Sequence, residues 1–227
     1  WNIIFTTRYA YLNDLAFYIK EVFQFPFEVC DVSLLKEEEL ISIATNYGFQ
    51  LPDNFKFQER LRNLFYLKEY IRQYQDINKQ GSYKDFREVL WRKHIMGNIV
   101  KDNLHIERER CIIEIVRKRC ETSRFYINAE HLPQHVLYML KQDEILGYDD
   151  SYNGYFFTHD IYEEWALNKI VSRDFLNYLN ITEFFETLGS SLPIRRAFRL
   201  WLSERLAEPS EKMDDFIKES FSNEKLV

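Results

Sequence analysis

The chain has 227 residues, 46% of them hydrophobic and 17% aromatic, with 19 Phe, 15 Tyr and 4 Trp; this fills real cores and excludes a disordered chain. Only 6 Gly and 5 Pro interrupt it, too few turn formers for an all-β architecture. The formal charge of −6 argues against a protein that coats nucleic-acid phosphates with its whole surface, and no apolar run reaches the roughly 20 residues of a membrane span.

The first residues, Trp1-Asn2-Ile3-Ile4-Phe5-Thr6-Thr7, are β-branched and aromatic, which predicts a strand buried on both faces of a parallel sheet. One strand makes no sheet, so the chain is expected to be a piece of a longer protein. Leu12, Leu15, Ala16, Ile19 and Phe23 follow at helical spacing, and Pro26 ends that run. Alternation over 27–32 predicts a second strand, completing one strand–helix–strand unit. A helix over 34–47 has Ser33 as its expected cap, Glu37, Glu38 and Glu39 near its positive end and Gly48 past its other end.

From Pro52 onward the periodicity predicts helices near 55–65, 66–76, 83–96 and 104–121, with Ser82 and Gly97 bounding the third. Residues 124–127 read as a very short strand, and Pro133 as the first position of the next helix. Asn153-Gly154 between apolar and aromatic runs predicts a β-hairpin. A helix over 161–171 follows, then helices near 173–188, 193–206 and 210–221. Helix, short strand, helix, hairpin is the order of a winged helix. The expected class is mainly α, with the remnant of an α/β sheet at the start.

Chemistry-bearing motifs are sparse. No glycine fits G-x-x-x-x-G-K-[ST] or G-x-G-x-x-G, so these residues alone are not expected to hydrolyse a nucleotide. His131 and His135 lack the intervening Glu of a zinc helix, and Cys111 and Cys120 match no zinc spacing. No metal site is expected. With Cys30, the three cysteines offer no disulfide framework, and with no signal-peptide pattern a reducing cytoplasm is the expected location. Two motifs rise above this background. Thr6-Thr7-Arg8 closes the opening strand, where ligands of open α/β sheets bind and a guanidinium can fork onto a phosphate. Phe157-Thr158-His159-Asp160 joins the hairpin to the next helix, where an imidazole N–H can meet a phosphate while Asp160 caps the helix.

In this order the motifs resemble the C-terminal part of the nucleotide-binding module of STAND proteins, the signal-transducing P-loop NTPases that include the NACHT and NB-ARC groups. Trp1 to Arg8 is similar to their sensor strand, and 34–74 to their first helical domain. Tyr155-Phe156-Phe157-Thr158-His159-Asp160 is similar to the His-Asp motif that ends their winged helix. Ile161-Tyr162-Glu163-Glu164-Trp165-Ala166-Leu167 and Ile194-Arg195-Arg196-Ala197-Phe198-Arg199-Leu200-Trp201-Leu202 resemble large bacterial members, some of which serve in antiphage defence. The resemblance implies an end of a P-loop α/β domain over 1–32, a helical lid over 33–98, a winged helix over 99–171 and a C-terminal helical segment over 172–227. It further implies ATP or ADP with Mg²⁺ in the parent protein, with Thr7, Arg8 and His159 facing the nucleotide and no cofactor expected on this piece alone. Implied partners are an upstream phosphate-loop domain of the same chain, further copies on activation, and a trigger protein. Relatives place a Pro in the helical-domain loop that touches the nucleotide; within Arg62-Asn63-Leu64-Phe65-Tyr66-Leu67, Leu64 stands there instead. Nucleotide contact from this loop is therefore not implied.

The alternative is a winged helix that binds DNA or another protein without nucleotide. Arg108, Arg110, Arg117, Lys118, Arg119 and Arg124 offer cations, but Glu107, Glu109, Glu114 and Glu121 interleave them. The helix after Pro133 brings only Lys141 as a fixed charge, which is poor equipment for phosphates and base edges.

Overall fold

A computed structural model describes residues 4, 16–24, 26–30, 33–75, 81–97, 104–206 and 210–222. The predicted opening strand, with Thr7 and Arg8, lies outside the described residues apart from Ile4. Residues 16–22 are helical and finish in a π turn, Tyr18–Val22. The second predicted strand is corrected. Its described residues, 27–30, are irregular, with Phe27 and Val29 exposed, whereas the alternation called for one buried face. The only sheet among the described residues is a two-stranded hairpin.

Four helices make a first unit. α1, Glu37–Tyr47, is started by Lys36 rather than Ser33, because the Glu39 carboxylate accepts from the Lys36 N–H at 2.7 Å. Gly48 ends it at φ 68°, donating to the Ala44 and Thr45 carbonyls. α2, Phe55–Leu61, and α3, Leu64–Arg72, divide earlier than the periodicity predicts, because Asn63 accepts from the Phe65 N–H and so opens a new helix. α4, Tyr83–Leu90, has the Ser82–Asp85 capping box; it runs on as a π turn, Trp91–Met96, and stops at Gly97 with φ 74°. Leu40, Phe57, Leu61, Tyr70, Phe86 and Leu90 form this unit's core, with Phe57 edge-on to Tyr70 at 5.7 Å.

The second unit begins with α5, Leu104–Thr122, which buries Cys111, Ile112, Ile115 and Val116. The strand expected over 124–127 is reduced to one bridge, Ile127 to Tyr155. α6, Gln134–Gln142, starts one residue after Pro133. The hairpin is present: β1, Leu146–Asp149, pairs antiparallel with β2, Gly154–Phe157. Gly147 lies opposite Phe156, and a Cβ there would sit 2.3 Å from the Phe156 ring. Gly147→Ala should therefore cost about 1–3 kcal/mol in urea unfolding, and most of that loss should vanish in a Phe156→Leu background. Equal losses in both backgrounds would show that ring overlap is not the cause.

α7, Asp160–Asn177, runs past the predicted end at 171. The single helix expected over 173–188 breaks at Tyr178, which is extended, before Asn180 caps α8, Ile181–Leu188, by accepting from the Glu183 N–H at 2.9 Å. α9, Leu192–Leu206, and α10, Glu211–Ser222, complete the chain. Phe175, Phe184, Trp201 and Phe216 bring α7 to α10 around one aromatic core, with Phe175 and Trp201 4.8 Å apart. Among the described residues no helix is long and apolar enough to cross a membrane.

Candidate functional site

His159, rather than Asp160, is the cap of α7. Its backbone is extended (φ −138°, ψ 134°), and its Nδ1 accepts from the Ile161 N–H at 3.2 Å. Asp160 is the first helical residue, where a carboxylate meets the positive end of the helix. With Nδ1 engaged as an acceptor, the neutral ring carries its proton on Nε2. The residue is exposed.

The structure brings His159 against the start of α3. Its ring lies 4.9 Å from that of half-buried Phe65 and 6.3 Å from that of Tyr162. Phe65 belongs to the 62–67 run in which Leu64 replaces the family's Pro; Leu64 itself is exposed. Arg62, at the same junction, donates from Nε to the Leu35 carbonyl at 2.5 Å and accepts from the Leu35 N–H at 2.9 Å. Segment 33–36, the α2–α3 junction and the head of α7 thus share one edge. Thr7 and Arg8 lie outside the described residues.

Behind this edge is a polar cluster with no sequence signature. Buried Glu69 of α3 receives His94 Nε2 at 2.9 Å, Gln73 Nε2 at 3.2 Å and Arg72 Nη1 at 3.2 Å. Burial alone would raise its carboxyl, but the bond and charge of His94, with Gln73 and Arg72, outweigh burial and hold it below the usual carboxylate range. Trp165 lies 6.2 Å from His94 and 6.1 Å from Phe65. A depressed carboxyl stabilises the fold above its unfolded value, near 4.3, and that contribution is lost as pH falls through the lower folded value. Glu69→Gln should lower stability at neutral pH by about 1–3 kcal/mol and flatten the acid limb of a stability–pH curve. An unchanged acid limb would remove Glu69 from that role.

The remaining candidates are structural. His131 and His135 face Glu114 and Glu107 at 2.7 and 3.4 Å. Among the described residues no three His, Cys, Asp or Glu side chains gather as a metal site. Burial pushes the Cys111 thiol up to about 11, away from reactivity. The α5 cations are largely consumed: Arg108 is buried, Arg117 pairs with Asp174 at 2.9 Å, and Arg119 with Glu163 at 3.0 Å. In comparisons with known proteins, no family model matches the chain and no curated protein matches it.

Proposed function

We propose that this chain is the regulatory part of an ATP/ADP-dependent signalling switch of the STAND type. One observation carries the reading: the ring of His159, at the end of the hairpin unit, packs on Phe65 of the first helical unit. Two motifs far apart in sequence, the one resembling the family's His-Asp motif and the 62–67 run in which Leu64 stands for the family's Pro, share one edge. The chemistry of the donor suits the role, since an imidazole whose Nδ1 accepts carries its N–H on Nε2, a group of the kind that bonds a phosphate oxygen. Thr7, Arg8 and His159 would hold the nucleotide, ADP bridging the upstream phosphate-loop domain and the winged helix in the resting state. Nucleotide with its Mg²⁺ would supply the charge that the two states bind differently, as a population shift requires. The exposed Phe23, Phe27 and Val29 support the same reading, because exposed apolar side chains close together suit a segment that packs on a further domain.

The test is to purify the intact protein, denature it and quantify released nucleotide. About one ADP per chain is expected. A protein that carries none, and takes up none when incubated with ADP and Mg²⁺, overturns the proposal. DNA reading is the weaker alternative, because three of the α5 cations that would serve it, Arg117, Arg119 and Arg108, are spent on Asp174, Glu163 and the protein interior.

A further inference from the structure

Arg87 and Glu88 are neighbours in α4 yet reach different helices of the second unit. Arg87, only 7% exposed, forks onto Glu204 of α9, with Nη1–Oε1 3.1 Å and Nη2–Oε2 3.0 Å. Glu88 accepts from Lys169 Nζ of α7 at 2.5 Å, and that ammonium also lies 5.6 Å from the centre of the buried Trp91 ring. A third tie comes from α5. Arg108, 1% exposed, donates from Nε to the Ile95 carbonyl at 2.6 Å and from Nη2 to the His94 carbonyl at 2.9 Å. The fourth is the packing of Phe65 on His159 and Trp165. Separating the units would strand a buried guanidinium, a carboxylate and two carbonyls away from their partners, and each loss is costly. Segment 33–36 belongs with the first unit through the paired Leu35–Arg62 bonds. Just before it, residues 26–30 carry neither regular structure nor buried side chains.

We infer that residues 33–75, 81–97 and 104–206 form one block that folds and moves as a unit, and that a joint lies in the irregular residues 26–30. The block stands on the contacts alone. Its consequence for regulation rests on the proposed function: the first helical unit and the hairpin unit swing together against the nucleotide domain, rather than parting from each other.

Amide hydrogen exchange of the whole chain in increasing urea tests the block. Amides of α3 and α4 and those of α7 and α9 should share one opening event with one denaturant dependence. Glu204→Gln should speed that opening at both sets by the same factor, roughly tenfold or more. Earlier opening of α3 and α4, or an effect of Glu204→Gln confined to α9, overturns the inference. Should Glu204→Gln not fold, the wild-type comparison still decides, and Lys169→Met repeats the test at the more exposed pair. In the intact protein, exchanging ADP for ATP should loosen amides N-terminal to Leu35 and leave α4 and α9 protected. Loosening at α4 without α9, or at α9 without α4, sinks the block, whereas an absence of any nucleotide effect sinks the switch and not the block.

Discussion

Arg108→Ala should lower the unfolding free energy by about 3–5 kcal/mol, the largest loss expected from any single surface-type residue in the chain. The sequence shows Arg108 inside Glu107-Arg108-Glu109-Arg110, a run that reads as solvated. In the fold it is fully buried, and its fork satisfies the His94 and Ile95 carbonyls while Nη1 meets Asp143 at 2.7 Å. Asp143 is half exposed and can return to water, so the loss comes mainly from the two carbonyls and the emptied volume. Arg108→Met separates these terms by keeping the stem and removing the donors. Urea unfolding should rank wild type above Met above Ala. A loss under about 1 kcal/mol for Ala would mean that the carbonyls find other donors.

His159→Asn should release ADP from the intact protein about 10- to 100-fold faster, the rate equivalent of one hydrogen bond to a charged group, about 1.5–3 kcal/mol. Asparagine is chosen because His159 does two jobs. As the cap of α7 it accepts from the Ile161 N–H, and Asn is among the best residues for that position. The variant therefore keeps the helix start and removes the imidazole. Its melting midpoint should stay close to wild type while ADP retention falls. Unchanged ADP release with an intact fold would end the role of His159 as a nucleotide contact. A Phe65→Leu variant should shift retention in the same direction but less, because it withdraws only the ring against which the imidazole is set.

What could be read from the sequence was local chemistry. Ser82 with Asp85, Gly97, Asn153-Gly154 and Gly48 mark real boundaries, since each acts within a few residues of itself. Boundaries failed where local signals competed. Ser33 looked the better cap, yet Glu39 reaches back to Lys36. Leu176, Tyr178 and Leu179 prolong the apolar pattern across a break made by Asn180. The strand predicted over 27–32 had the right alternation, but its described residues, 27–30, are exposed throughout, and alternation alone does not bury a face. The candidate site was half legible. His159 stood out by type and position, whereas Phe65, Glu69 and His94 acquire meaning only through partners on other helices. Buried charge was the least legible feature, because Arg87 answers to Glu204 more than a hundred residues away.

The π turn over Trp91–Met96 bears on how this protein tolerates changes in length. A π turn holds about one residue more than an α turn, so α4 carries a built-in insertion. Deleting Arg92 or Lys93 would let the segment relax to α geometry. Because the wide turn already absorbs the extra residue, what lies beyond would keep its phase instead of turning by about 100°, as a deletion from a plain α-helix imposes. The wide turn thus lets the helix meet α3 and α5 at one end and α7 and α9 at the other with one residue to spare.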